Sequence, residues 1–362
     1  MAPRRASFAL LVALLATVLL APPAQASRHL LLGLMDDANT LNAPATTFPL
    51  LGELHVQVTR MTLTWSGVAR RKPAHPRDPA DPAYSWGRYD AAVQAAEAQG
   101  IRVLLTIYGT PRWANGGQPP NRAPRSSAAL RDFAYAAAKH FPDVRLWLAW
   151  NEPNNPVFLT PQYRKIRGRW VAVSPAAYAR ICTAVYQGVH AAGGGEKVGC
   201  GATAPRGSNN PGGYRPSIAP LSFLQLVKRA GLRRFDAWAH HPYSGSRAET
   251  PSSRPRGGGT VELGNIGSLV SQLTRLYGAK RVWITEYGWQ TRPPDPFFGV
   301  TLKQQASYLR QAYLIAKRNP RIDLFTWYLL RDEPNVGGWQ SGLITASGKR
   351  KPAFAAFRRL RG

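Results

Sequence analysis

The sequence predicts a single-domain α/β protein folded as a (β/α)8 TIM barrel. Eight apolar segments of strand length alternate along the chain with segments whose apolar residues recur at every third or fourth position. Connections from a helical segment to the next strand are short, whereas those from a strand to the next helix are long and rich in Gly, Pro and Arg. The chain has 362 residues, which is ordinary for such a barrel with loop insertions and long for most other single domains.

The elements follow in order. The predicted strands cover residues 29–36, 56–65, 101–110, 144–152, 197–205, 235–243, 281–289 and 322–330. Helical patterns cover residues 89–100, 127–141, 174–192, 266–278, 302–318 and 351–360. This alternation implies parallel pairing of the strands in a closed barrel. Because the long connections all follow strand ends, we expect the functional face at the carboxyl ends of the strands.

The amino terminus predicts export. A basic start, an apolar run over residues 8–21 and the small residues 24–26 form the pattern of a secretory signal peptide, which we assign to residues 1–26. The apolar run is shorter than the roughly 18 residues that a membrane span requires. We therefore expect a secreted, extracellular protein of residues 27–362, with no membrane span after cleavage.

The composition is strongly basic, with a formal net charge of +28. Such a balance suits an anionic partner, but the Arg residues are scattered and equally fit a solvated basic surface. No nucleic-acid-binding motif accompanies the charge, so we expect no nucleic-acid partner. The chain has two Cys residues, Cys182 and Cys200, which the predicted helix and following strand place at similar heights. Either a disulfide or two small buried thiols fits this arrangement.

Two of the predicted strands end on a glutamate. Glu152 follows Asn151 at the end of the fourth strand, in "WNEPN", and Glu286 ends the seventh strand, in "TEYGW". One such Glu could be a loop cap or half of a salt bridge. Two of them at the same rim of a barrel indicate acid–base cleavage of an acetal, which needs one protonated and one ionised carboxyl group.

These motifs resemble those of the clan A glycoside hydrolases, retaining (β/α)8 enzymes that include cellulase-like and β-xylosidase-like members. The resemblance extends in strand order over nearly all of residues 27–362 and implies that they form one catalytic domain. It makes Glu152 the general acid/base and Glu286 the nucleophile, and it places Asn151 on the sugar 2-hydroxyl. Leu148 stands where these families carry an acidic or polar residue, so the resemblance does not indicate the substrate.

The resemblance extends to other positions. Arg60, in an otherwise apolar second strand, corresponds to the Arg that keeps the nucleophile ionised, although an outward Arg paired with a helix is the alternative. In "AHHPY", Tyr243 is implied to bond the nucleophile and His241 to contact the nucleophile or the sugar. Adjacent strand residues face opposite ways, so His240 is expected in the barrel wall and the His pair does not predict a metal site.

Three tryptophans are candidate platforms for sugar rings, whose C–H faces a flat indole can cover. Trp327, near the end of the eighth strand, corresponds to the aromatic floor beneath the cleaved sugar. Trp113 and Trp289 are further candidates, although packing in the core is an equal alternative for each.

The sequence therefore predicts a monomeric, secreted, retaining glycosidase that acts on a β-linked polysaccharide or its oligosaccharides and requires no metal or organic cofactor. A transglycosylase would use the same residues and differ only in its acceptor. A non-catalytic carbohydrate-binding barrel is the alternative from another class, and it predicts the loss of a catalytic group.

Overall fold

The computed structural model describes residue 27, residues 29–255 and residues 257–360. The predicted signal peptide lies outside the described residues. Within the part that is described, no helix combines the length and the hydrophobicity needed to cross a membrane.

Eight parallel strands close into a barrel, as predicted. The described residues form ten strands: β1 (Leu31–Met35), β2 (Val58–Thr64), β3 (Arg102–Tyr108), β4 (Leu146–Ala149), β5 (Tyr163–Ile166), β6 (Arg169–Ala172), β7 (Lys197–Thr203), β8 (Ala237–His240), β9 (Arg281–Tyr287) and β10 (Ile322–Tyr328). The order around the barrel is β1-β10-β9-β8-β7-β4-β3-β2, and β5 and β6 form a separate antiparallel hairpin. All eight predicted strands are present, with the fourth ending at Ala149 rather than at residue 152.

Helices surround the barrel. They are α1 (Asp37–Asn42), α2 (Pro44–Glu53), α3 (Trp65–Val68), α4 (Gly87–Ala98), α5 (Arg112–Asn115), α6 (Ser127–His140), α7 (Ser174–Ala192), α8 (Pro220–Arg229), α9 (Ile266–Tyr277), α10 (Leu302–Arg318) and α11 (Pro352–Arg358), with a 3-10 turn at Leu263–Asn265. The six predicted helices are α4, α6, α7, α9, α10 and α11. Helix α10 begins with a capping box in which Thr301 and Gln304 satisfy each other's backbone N–H groups.

The core has two parts because strand side chains alternate in direction. Inside the barrel, a small cluster of apolar side chains fills the bore: Val58, Leu104, Leu148, Ala202, Ala237, Ala239, Trp283 and Leu324. A Cβ atom on Gly199 would lie 2.7 Å from the ring of Trp283, so the bore has room for that indole only beside a glycine. The larger cluster lies between the strands and the helices.

Two features lie beyond the barrel pattern. The β5–β6 hairpin lies in the long connection after the fourth predicted strand, where no strand was predicted, and its exposed residues include Trp170 and several cations. Cys182 of α7 and Cys200 of β7 form a disulfide with their Cα atoms 5.9 Å apart. The structure thus contains the bridge and not the two free thiols.

Candidate active site

A cavity of about 1020 Å³ opens at the carboxyl ends of the barrel strands. Both predicted catalytic residues, Glu152 and Glu286, line it, and so do Asn151, Tyr243 and Trp289. The position agrees with the rim on which the long connections were expected to lie.

Glu152 reaches the cavity through an unusual backbone segment. After β4 ends at Ala149, both Trp150 (φ 70°) and Glu152 (φ 35°) adopt left-handed conformations that L-residues rarely occupy. The Trp150 indole donates to the carbonyl of Phe158 at 2.8 Å, and the Glu152 N–H donates to Ala202 O at 2.9 Å. These contacts hold the strained turn, and strain of this kind concentrates at functional sites.

Glu286 faces the cavity because strand β9 is irregular. Between Ile284 and Tyr287, β9 contains one more residue than the partner segment of β10, which is a β-bulge. Regular alternation would send Thr285 and Glu286 to opposite sides. The bulge lets both approach the same side chain, His241, with Thr285 Oγ1 3.0 Å from Nε2 and Glu286 Oε2 3.5 Å from Nδ1.

Arg60 lies beneath the two carboxylates and is completely buried. Its Nη1 is 2.5 Å from Oε1 of Glu286, its Nη2 donates to Oδ1 of Asn151 at 2.7 Å, and its Nε donates to Oγ1 of Thr106 at 2.9 Å. The alternative of an outward Arg60 is therefore excluded. A buried guanidinium needs such partners, and here it joins the Glu on β9 to the Asn that precedes the other Glu.

His241 and Tyr243 complete the network. His241 Nδ1 lies 3.0 Å from Oε1 of Glu152, and the Tyr243 hydroxyl donates to Oε2 of Glu286 at 3.1 Å. Arg60 can only donate, and its Nη1 lies 3.2 Å from His241 Nε2. We therefore assign the proton of the neutral ring to Nδ1, which then donates to Glu152. The neighbouring His240 is in the wall, bonded to Thr203 and Val261, as predicted.

Burial shifts the pKa values of the ionisable groups at the site in different directions. It raises the pKa of Glu152 to about 7, against smaller opposing effects of the hydrogen bond from Asn155 and the charge of Arg60. Burial also lowers the pKa of His241 to about 3 and so keeps the ring neutral near pH 7. The pKa of Tyr243 lies well above its usual value, first because of burial and then because of the nearby Glu286 charge. Tyr243 can therefore act as a hydrogen-bond donor throughout the physiological range.

One group of side chains could in principle ligate a metal ion. Among the residues that the structure describes, only Glu152, His241 and Glu286 bring three potential ligand atoms within 4.8 Å of one another. The Arg60 guanidinium already neutralises Glu286 at 2.5 Å, and a cation bound there would be repelled by it. The donor set therefore fits a carboxylate pair that acts on an organic substrate better than it fits a metal centre.

The structure places the three predicted tryptophan platforms differently. Trp289 lines the cavity, with its indole N–H on the Tyr287 hydroxyl. Trp327 is fully buried between strands and helices and donates to Ser341 O at 2.8 Å, so it cannot cover a sugar. Trp113 also does not line the cavity, because its indole donates to Ala69 O and packs edge-on against Trp65.

Four residues at the site were not identified from the sequence. Tyr328, next to Trp327, lines the cavity, and strict alternation along the strand from Leu324 could have indicated this. Trp339, in the loop after β10, lies with its ring 5.1 Å from that of Tyr243. Thr285 and Asn155 bond His241 and Glu152 respectively. The sequence carries no signal for Trp339, Thr285 or Asn155, because their positions depend on loops and on a bulge.

No protein-family model and no curated relative matches this sequence. Solved structures do. A family 39 glycoside hydrolase from Bacteroides cellulosilyticus WH2 superposes with a TM-score of 0.65 at 21% identity, covering 91% of this chain and 63% of that chain. A glucosidase from Croceicoccus marinus gives a TM-score of 0.64 at 15% identity, covering 93% and 66%. A β-glucosidase from Pyrococcus furiosus gives 0.61 at 14% identity, covering 92% and 95%.

This chain spans slightly less than two thirds of the length of the first two of these proteins and nearly all of the third. At such identities the similarity concerns the fold. Together with the closed barrel of eight parallel strands, it shows that this chain has a (β/α)8 TIM-barrel fold like that of these solved glycosidases.

Proposed function

We propose that the protein is a retaining glycoside hydrolase that cleaves β-glycosidic bonds in polysaccharides or oligosaccharides. The observation that carries the proposal is the separation of the two carboxyl groups. An oxygen of Glu152 and an oxygen of Glu286 lie within 4.8 Å of each other at one cavity. Retaining glycosidases have carboxyl groups about 5–5.5 Å apart, whereas inverting enzymes keep them about 6.5–9.5 Å apart to admit a water.

In the first step, Glu286 attacks the anomeric carbon and forms a covalent glycosyl ester while the bond to the leaving oxygen breaks. Glu152 gives its proton to that oxygen and becomes a carboxylate. A pKa of about 7 makes Glu152 a suitable acid near neutral pH. The ion pair with Arg60 and the hydrogen bond from Tyr243 hold Glu286 in place for the attack.

In the second step, the Glu152 carboxylate takes a proton from water, and the resulting hydroxide oxygen attacks the anomeric carbon. The ester bond to Glu286 breaks, and both carboxyl groups return to their starting states. The sugar leaves with its original configuration because it has been inverted twice. Asn151, which accepts from Arg60 through Oδ1, keeps its amide N–H groups for the sugar 2-hydroxyl.

We further propose that the enzyme acts outside the cell. The signal-peptide pattern of residues 1–26 supports this. The Cys182–Cys200 disulfide also supports it, because disulfides persist mainly in oxidising compartments.

The proposal is tested by the stereochemistry of the product. Proton NMR during hydrolysis of an aryl β-glycoside should show the β-anomer first, followed by mutarotation. Glu286→Gln should abolish turnover without unfolding the protein. Glu152→Ala should retain the first step for leaving groups that need no proton, and azide should restore turnover by forming a β-glycosyl azide.

Three other results would contradict the proposal of a retaining hydrolase. An α-anomer as first product would indicate inversion and remove Glu286 as the nucleophile. Transfer of the sugar to added saccharides in preference to water would indicate a transglycosylase. Binding of glycans without turnover, in a protein with both glutamates intact, would indicate a non-catalytic barrel.

A further inference from the structure

Among the residues that the structure describes, four arginines lie at the rim of the active-site cavity: Arg88, Arg206, Arg215 and Arg247. The acidic residues that line the same cavity are Asp37, Glu152 and Glu286. Glu286 is already paired with the buried Arg60. The cavity therefore presents its acidic groups at the barrel end and an excess of positive charge at its mouth.

Three of these arginines have no carboxylate partner among the described residues. Arg88 donates to the side-chain amide oxygen of Asn42 at 3.0 Å, and Arg247 donates to the carbonyl of Pro296 at 2.9 Å. Arg215 makes no hydrogen bond or ion pair within the described chain. Arg206 differs, because it is bonded to Glu262 and therefore has a structural partner.

The arginines lie on both sides of the two catalytic carboxyl groups. Arg215 and Arg247 lie in the loops after β7 and β8, the strands between β4 and β9 in the barrel. Arg88 lies in the first turn of helix α4 on the opposite side, near α1. A glycan bound across the cavity would therefore meet a guanidinium on either side of the bond to be cleaved.

An arrangement of this kind suits an anionic ligand. A cleft lined by charges of one sign focuses the field and raises the local concentration of the opposite ion. The planar guanidinium also bonds carboxylate and sulfate oxygens in a bidentate manner. A neutral glycan could accept hydrogen bonds from these three arginines but would form no ion pair with them, whereas an acidic glycan would form ion pairs that offset its repulsion by the catalytic carboxylates.

We propose that the substrate is an anionic β-linked glycan, with carboxylate or sulfate groups on the sugars that flank the cleaved bond, and that Arg88, Arg215 and Arg247 bind those groups. The inference rests on the proposed function and names the substrate class of the same site. The alternative is that the rim arginines only contribute to the general basic charge of the chain, which is +28.

A charge-matched pair of variants separates these explanations. The cavity variant carries Arg88→Gln, Arg215→Gln and Arg247→Gln. The control variant carries Arg180→Gln, Arg275→Gln and Arg310→Gln, which removes three exposed cations from α7, α9 and α10, outside the cavity. Both are made with Glu286→Gln so that no probe is consumed. A variant with Arg215→Gln alone is the safeguard against loss of folding, since Arg215 has no hydrogen-bond or ion-pair partner among the described residues.

Calorimetric titration at low ionic strength uses two pairs of probes. One pair is a β-linked glucuronate oligosaccharide and its carboxyl-reduced form, and the other is a sulfated β-glucan oligosaccharide and its desulfated parent. The acidic member of at least one pair should bind about tenfold more tightly or better. That preference should largely disappear in the cavity variant, weaken with Arg215→Gln alone, and stay within about twofold in the control.

Equal affinity for acidic and neutral members of both pairs would overturn the inference. So would an equal loss of preference in the cavity and control variants, which would assign the effect to bulk charge. The pair that shows the preference decides between carboxylate and sulfate. Because binding is read without turnover, a failure here is distinct from a failure of the proposed hydrolysis, which the NMR experiment measures.

Discussion

Arg60 and Glu286 form a buried ion pair across the barrel, with Nη1 of the arginine 2.5 Å from Oε1 of the glutamate. The same guanidinium donates to Asn151 at 2.7 Å, the residue that precedes Glu152. One side chain from β2 thus fixes the ends of β4 and β9 relative to each other. These two contacts therefore help to set the separation of the two glutamates.

Replacing Arg60 should therefore affect stability and activity together. Arg60→Ala leaves the Glu286 carboxylate buried without its partner, which should lower the free energy of unfolding by about 3–5 kcal/mol. The loss of positioning should lower kcat/KM at least about 100-fold. Urea unfolding and steady-state kinetics measure the two effects. Arg60→Lys, which keeps the charge but not the fork of donors, should lie between, and an Arg60→Ala protein with unchanged kcat/KM would contradict the assigned position.

Glu152 should set the alkaline limit of activity. Its pKa is about 7, and the first step needs the protonated form. With a substrate whose leaving group needs a proton, kcat/KM should fall about tenfold per unit as the pH rises above about 7, which forms the alkaline limb of the profile. The limb should disappear in Glu152→Ala with an activated aryl leaving group. A limb that persists in that variant would belong to another group.

Replacing Asn155 should move this alkaline limit of activity to higher pH. Its side-chain N–H donates to Oε2 of Glu152 at 3.1 Å and stabilises the carboxylate, which lowers the pKa of Glu152. Asn155→Ala removes this stabilisation, so the pKa of Glu152 should rise and the alkaline limb should move to higher pH. The pH profile of kcat/KM measures the shift. A limb that moves to lower pH would show that Asn155 does not act on the ionised form.

Trp339 and Trp327 should respond differently to mutation. Trp339 is 37% exposed at the cavity, and loss of its ring in Trp339→Ala should raise KM about five- to tenfold with little change in stability. Trp327 is buried, and Trp327→Phe should lower the free energy of unfolding by about 1–3 kcal/mol, because the indole hydrogen bond to Ser341 O is lost and the smaller ring leaves a cavity. Its KM should stay near that of the wild type. The reverse pattern would restore Trp327 as the sugar platform.

The disulfide should stabilise the fold without taking part in catalysis. Cys182 and Cys200 are 18 residues apart and both are buried between α7 and β7. Replacing both by Ala should lower the free energy of unfolding by roughly 3 kcal/mol and leave kcat/KM nearly unchanged. Thiol counting in the denatured, unreduced wild-type protein should find no free thiol. Two titratable thiols would show that the bridge does not form.

The sequence by itself determined the barrel and the position of its functional rim. The eight strands, six of the helices and the location of Glu152 and Glu286 at strand ends all follow from local periodicity and from the lengths of the connections. These features depend on residues close in sequence, so a single chain is enough to reveal them.

Only the tertiary structure decided which way certain side chains face. The bulge in β9 brings Thr285 and Glu286 to the same histidine, and the left-handed turn at Trp150 and Glu152 shortens β4. An extra residue reverses the direction of every side chain beyond it, and such an insertion depends on pairing with a neighbouring strand. Periodicity within one strand cannot reveal it.

The aromatic residues that face the substrate cavity were also decided by the tertiary structure. The resemblance indicated Trp327, but the structure buries it and places Tyr328 and Trp339 at the cavity instead. Tyr328 lies one position further along β10, whereas Trp339 approaches Tyr243 through a loop. The sequence therefore determined that aromatic residues gather at the rim, and the packing of strands and loops decided which of them a substrate can reach.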